Sequence, residues 1–201
     1  MKVGCVVGLL VLVATASANA GIVGTPYANS ITDAASAVCV WEPSTGTLML
    51  QEVMYRSPAY VQGGAETDVV GDPTILIAKY ITNSTGDTWT GYHFNIYMDQ
   101  PFSIDSALMP TGWDYAITPG SVGSFFDMDG RPWAAWGAVD YVATAPQYYI
   151  PSNNVPPVLF GASVSFLQSV QFEVEQEGIV PEPVSLALLA LGGLFLRRCR
   201  S

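Results

Sequence analysis

The chain has 201 residues, enough for one domain of ordinary size, with 50% of them hydrophobic and only 12% charged. Glycine (19) and proline (14) are plentiful and helix-favouring charged residues are scarce, which argues against a helical body and for many short strands joined by turns. All seventeen acids lie between Asp33 and Glu182, opposed there only by Arg56, Lys79 and Arg131. So acidic a body repels nucleic acid and anionic lipid and excludes both as its direct partners, while divalent cations and basic partners stay open.

The first twenty residues have the three parts of an export signal. Lys2 is a short positive region, residues 3–13 are an apolar run, and Ala18-Asn19-Ala20 puts small residues at the two positions a signal peptidase inspects. Cleavage is expected after Ala20, which makes residues 1–20 a signal peptide, helical while it is being exported. Cys5 lies too early in the run to be an acylation site. Cys199 lies near the other terminus, which leaves Cys39 alone in the body and excludes a disulfide framework within it. Flanked by Val38 and Val40, Cys39 is expected to be a buried, inert thiol.

The body is expected to span residues 21–178. Strands are predicted at 37–41 and 47–55, then over 74–82, a β-branched run expected to be well buried. The clearest strand is 92–98, where Tyr92, Phe94, Ile96 and Met98 share one face and His93, Asn95 and Tyr97 the other. Between these two lies Asn83-Ser84-Thr85-Gly86-Asp87-Thr88, a turn-rich stretch with Gly86 available for positive φ; together they read as a hairpin. Further strands are predicted at 102–108, 122–126, 133–141, 148–151 and 158–162. A last one alternates through Val164, Phe166, Val170, Phe172 and Val174. No amphipathic helix and no internal repeat stands out. Strands with one polar face imply two packed antiparallel sheets, a β-sandwich of jelly-roll or immunoglobulin-like type.

Chemistry-bearing patterns are sparse in this body. His93 is the one histidine, on the polar face of a strand, so any Ser-His-Asp or Cys-His site would have to use it. No nucleophile elbow, H-E-x-x-H, C-x-x-C or phosphate-binding loop is present. Asp127-Met128-Asp129-Gly130 is like the opening of a calcium loop, but no glutamate follows at the twelfth position, and a tight turn accounts for Asp-Gly equally well. Asp127 and Asp129 are thus weak metal candidates, and no cofactor is expected. Trp113, Trp133 and Trp136 could stack on sugar rings, although residues three apart on a regular strand face opposite sides, so Trp133 and Trp136 do not form one platform without a bulge. Asn83-Ser84-Thr85 matches a glycosylation sequon and is read as coincidence.

The C-terminal segment 179–201 is the most informative part of the sequence. Pro181-Glu182-Pro183 denies helix to the stretch before an apolar run over residues 184–196, and Arg197, Arg198 and Arg200 follow it as a cytoplasmic anchor. About thirteen helical residues span roughly 20 Å against a hydrocarbon core of about 30 Å, a short transmembrane helix. The order of P-E-P, short apolar helix and arginine cluster resembles the PEP-CTERM sorting signal of exported bacterial proteins. The stretch I-T-N-S-T-G-D-T-W-T-G-Y-H-F more loosely resembles segments that recur in bodies carrying this tail. The resemblance implies handling by signal peptidase and an exosortase, transient or permanent membrane anchoring, and delivery to the surface or matrix of a Gram-negative-type, polysaccharide-producing bacterium. The leading expectation is a non-catalytic structural or adhesive surface protein. A module binding extracellular polysaccharide is the alternative, and a secreted hydrolase, marked by two carboxylates converging in a pocket, is a third.

Overall fold

The computed structural model describes residues 22–30, 35–55, 61–67, 74–166 and 171–180. They form strands β1 (Ile22–Ser30), β2 (Ala35–Glu42), β3 (Thr47–Met54), β4 (Val61–Thr67), β5 (Thr74–Asn83) and β6 (Gly91–Met98). β7 (Phe102–Leu108), β8 (Trp113–Phe126), β9 (Pro132–Ala143), β10 (Val158–Phe166) and β11 (Gln171–Ile179) complete the set. One sheet has the order β1-β4-β11-β6-β9-β8 and the other β2-β3-β5-β10-β7. The expected mainly-β body of two packed sheets is what forms. Among the described residues, pairing is antiparallel with one exception: β3 and β5 run parallel, with Leu48 beside Ile77 and Leu50 beside Lys79.

Period-two patterning decides which side chains meet between the sheets. From β6 come Tyr92, Phe94, Ile96 and Met98; from β5 Ile75, Ile77 and Ile81; from β3 Leu48, Leu50 and Met54; from β10 Phe160, Ala162, Val164 and Phe166, all fully or almost fully buried. Phe160 is the central contact. Its ring stacks on Tyr92 at 4.7 Å, tilts against Tyr141 at 4.8 Å and meets the edge of Trp113 at 5.1 Å, so one side chain of the second sheet touches three strands of the first. Tyr141 also donates its hydroxyl to the Gly161 carbonyl at 2.5 Å, a polar tie across the same junction. Gly161 must be glycine, because a Cβ there would overlap the Ile77 carbonyl on β5.

Several expectations are corrected. The 74–82 and 92–98 strands do not form a hairpin; β5 and β6 lie in opposite sheets. Residues 84–90 carry the chain over the end of the sandwich, where Trp89 is buried and bridges to Ile150. Gly86 does take positive φ there, at 92°. The last predicted strand is two: Val164 and Phe166 close β10, while Phe172 and Val174 belong to β11 in the other sheet. Parity is kept across residues 167–170, so alternation alone reads as continuous. Residues 148–151 hold the end of a single 3-10 turn (Pro146–Tyr148) and the Ile150 bridge instead of a strand. β1, β4 and the first half of β8 were not anticipated. β1 carries Pro26 within a register shift at the sheet edge, and β4 holds Gly63-Gly64, so neither has a strand-like alternation. β11 runs to Ile179, one residue past the expected end of the body.

The crossing at 84–90 is pinned by Asn83. Its backbone N–H donates to Asn154 Oδ1, its Nδ2 to the Asp87 and Ile150 carbonyls, and its Oδ1 accepts from Thr85. Wholly buried, with its amide nitrogen committed, Asn83 is closed to glycosylation. Truncation of the central ring is the sharpest test of the sheet junction: Phe160→Ala should cost about 3–5 kcal/mol, read as a lowered midpoint in urea unfolding.

Candidate functional site

The strands that build the core from one face build a site from the other. In β6, His93, Asn95 and Tyr97 point away from the interior, and register sets them between β11 and β9. Tyr97 lies between Glu173 and Trp136, Asn95 between Glu175 and Ala138, and His93 between Glu177 and Asp140. Cross-strand neighbours of this kind are within reach of one another. His93 Nδ1 pairs with Asp140 Oδ1 at 2.6 Å, while Asn95 Oδ1 meets both His93 Nε2, at 3.0 Å, and the Trp136 indole N–H, at 2.8 Å. His93 is thus a hydrogen-bonded residue on the polar face of its strand, as its position in the alternation implies. Its ring is committed to Asp140 and Asn95.

The long β8–β9 hairpin folds its tip over one end of this face. Asp127 accepts the Arg131 N–H on Oδ1 (2.7 Å) and the Trp133 indole N–H on Oδ2 (2.8 Å), and Gly130 turns the chain at φ 80°. The Arg131 guanidinium lies over the Trp133 ring at 4.2 Å and donates to Gln171 at 2.9 Å. Met128 N–H donates to Glu175 Oε1 at 2.7 Å, which fastens the tip to β11. The result is a buried group of three carboxylates, Asp127, Glu173 and Glu175, with oxygens within 4.8 Å of one another. Asp129, the other sequence candidate, is exposed in the turn and outside this group.

Three carboxylates in one buried place repel one another, and Glu175 yields. Burial raises its pKa; the Met128 amide and the Tyr97 hydroxyl pull it back, and the charges of Asp127 and Asp129 push it further up. The same surroundings push the Tyr97 hydroxyl up, burial first and Glu175 next. Oxygen donors of this type suit a hard divalent cation. However, Asp127 and Glu175 already accept two hydrogen bonds each, so the group also holds together as a hydrogen-bonded clamp.

Two adjoining depressions flank Tyr97. One, of about 180 Å³, is lined by Asp127, Met128, Glu175 and Glu177; the other, of about 440 Å³, by Phe125, Phe126 and Trp136; both include His93 and Asn95. Phe125 tilts against Trp136 at 5.9 Å. Of the three candidate tryptophans, only Trp136 lines this groove. Trp113 is buried in the core, with its indole N–H on the Tyr148 carbonyl, and Trp133 is buried behind Asp127 against Tyr97. Cys39 is partly buried, and burial pushes its thiol up to about 11, which keeps it protonated and unreactive near neutrality.

The sites expected at the chain ends, Ala18 and Ala20, Pro181 to Pro183, and Arg197, Arg198 and Arg200, lie outside the described residues, as do the segments expected to form a signal helix and a transmembrane helix. Among the described residues no helix is long and apolar enough to cross a membrane. Compared with known proteins, the chain matches no family model and no curated relative.

Sequence reasoning missed Glu173 and Glu175. The available signal was the repeat Glu173, Glu175, Glu177, three like charges on one strand face, which requires either water or a cover. Glu175 has a folded pKa above its unfolded value, so folding favours its protonated form; that stabilisation is fully present below the unfolded value and is lost as pH rises through the raised one. The melting temperature should therefore fall across that window, and Glu175→Gln should flatten the slope by roughly the loss of one titrating group, measured by thermal melts at stepped pH.

Proposed function

We propose that this chain is an exported cell-surface or matrix protein, addressed by its C-terminal segment to an exosortase, with a non-catalytic β-sandwich as its working body. The observation that carries the reading is the order of Pro181-Glu182-Pro183, the apolar run 184–196 and the arginines at 197, 198 and 200, together with the signal-like residues 1–20. The run is short for a lifelong span, which favours an address that is read and removed. Of the two sandwich types, the jelly-roll-like one fits better, since sheets of six and five strands exceed an immunoglobulin domain's seven to nine. Mass spectrometry of the protein recovered from the cell surface should find an N-terminus at Gly21 and a C-terminus near Pro181–Pro183 in sequence. Recovery of the intact chain from the cytoplasm would sink the proposal.

A second reading, a module that holds extracellular polysaccharide, is favoured by the groove at Trp136. A partly exposed indole beside Phe125, with His93 and Asn95 in the same depression and Glu177 in the adjoining one, offers a sugar both a ring to stack on and hydroxyl partners. Trp136→Ala should weaken retention on the organism's own polysaccharide by roughly tenfold in affinity electrophoresis without lowering the melting temperature much. Unchanged retention counts against this reading. A hydrolytic role gains support from Asp127 and Glu175 meeting in one pocket. It loses more from their hydrogen bonds, which tie both carboxylates to the hairpin tip rather than leaving them free to exchange protons with a substrate.

A further inference from the structure

Three polar side chains stand at core-facing positions of otherwise apolar strands. Lys79 shares its face of β5 with Ile75, Ile77 and Ile81; Glu52 shares its face of β3 with Leu48, Leu50 and Met54; Gln176 shares its face of β11 with Phe172 and Val174. All three are buried, and they meet. Lys79 Nζ lies 3.0 Å from Glu52 Oε1, in contact with Gln176 Oε1, and 4.8 Å above the centre of the Phe94 ring. Among the described residues, Glu52 Oε2 and Gln176 Nε2 have no hydrogen-bond partner. Hydrogen bonding alone therefore leaves the cluster half satisfied, in a place where that is costly.

We infer that Lys79 and Gln176 are joined in the mature protein by an isopeptide bond, with Glu52 as the group that carries the proton. The arrangement holds each participant in such a reaction. Burial lowers the pKa of Lys79 and raises that of Glu52, each opposed by the other's charge, so the pair is drawn toward a neutral amine beside a neutral acid. A neutral amine is a nucleophile; an ammonium is not. The carboxamide it would attack is already against it, held on the facing sheet. The remaining oxygen of Glu52 has no other partner among the described residues.

The reaction balances without an oxidant or a co-reactant. The Nζ lone pair forms a bond to Gln176 Cδ, and the carbonyl electron pair moves onto Oε1. A proton leaves Nζ and reaches Nε2 by way of the Glu52 carboxyl group. The Cδ–Nε2 bond then breaks with its electrons on nitrogen, ammonia departs and the carbonyl re-forms. An amine and a carboxamide become a secondary amide and ammonia, and Glu52 ends as it began. Placement supports the step as well as chemistry. β5 is the middle strand of its sheet and β11 an inner strand of the other, so the bond would join the two sheets through the centre of the sandwich. A water-excluded site also protects the product amide from hydrolysis.

The test is the mass of the purified, folded full chain, with both termini read from the same peptide map. The expected mass is lower than the sequence value by one ammonia. A branched peptide should join the segments holding Lys79 and Gln176, and trypsin should fail to cut after Lys79. Glu52→Gln should restore the linear mass while keeping the β-type circular dichroism of the parent. Linear peptides carrying free Lys79 and Gln176 in the folded wild-type protein overturn the proposal, as does a link from Lys79 to Glu52 with loss of water. Because the wild-type map decides alone, a Glu52→Gln chain that fails to fold does not protect the idea.

Discussion

A primary ammonium cannot sit between two apolar sheets unless its charge is met or given up, and at Lys79 that condition is satisfied from both sheets at once. Glu52 reaches it from the neighbouring parallel strand and Gln176 from the facing sheet. The arrangement ties down register more tightly than apolar packing does. A one-residue slip of β5 would turn Ile75, Ile77 and Ile81 to solvent together with Lys79. It would also leave Glu52 buried and alone, a loss that truncation of buried ion pairs puts at about 3–5 kcal/mol. An apolar core tolerates small shifts among similar side chains; this one has a single register in which its polar members meet.

The two faces of β6 and β11 couple the interior to the groove. Gln176 faces Lys79, and its neighbour Glu175 faces the hairpin tip; Phe94 lies under the Lys79 amine, and its neighbour Asn95 holds Trp136 and His93. Neighbouring residues on a strand move together, so whatever fixes Gln176 against β5 also fixes Glu175 beneath Met128. A rigid backbone beneath it lets a shallow groove present Trp136 and its polar neighbours at set positions. The hairpin tip is held more lightly, by the Met128 bond, the Arg131–Trp133 contact and the Asp127 bonds, and it is the part whose attachment follows the protonation of Glu175.

Much of this was readable from residue types. Alternation in 92–98 identified β6 and its buried face, because a half-buried strand has to alternate, and 102–108 reads as a strand that matches β7. Alternation could not say which sheet a strand joins. β10 to β11 keeps parity while crossing between sheets, so the two read as one long strand, and the turn-rich 83–88 stretch makes β5 and β6 read as a hairpin. β1 and β4 carry glycine, proline and polar residues near a sheet edge, where packing imposes no period. In the groove, Trp136 and His93 were visible as candidates, but the buried Trp113 and Trp133 looked the same in one dimension. What parity does reveal, once applied strictly, is Lys79, Glu52 and Gln176: each polar residue falls in phase with isoleucines, leucines or phenylalanine of its own strand.

Disulfides are a common source of durability in a domain, yet Cys39 is the one cysteine between the two terminal segments. The amide proposed between Lys79 and Gln176 would close a loop of 97 residues along the chain. Restricting the unfolded ensemble by a loop of that length contributes roughly 4–5 kcal/mol in the chain-entropy view, comparable to a well-placed disulfide. The bond is indifferent to redox conditions, and unlike a disulfide it forms from groups whose reactivity arises only when the fold buries them. That dependence gives the order of events a physical basis. The sheets must pack first, because only packing removes the water that keeps Lys79 protonated and Glu52 ionised. The bond would then record a correctly assembled sandwich, and with β8 and β9 carrying exposed Val122, Phe126 and Val142, a core that cannot open is the more useful defence against proteolysis.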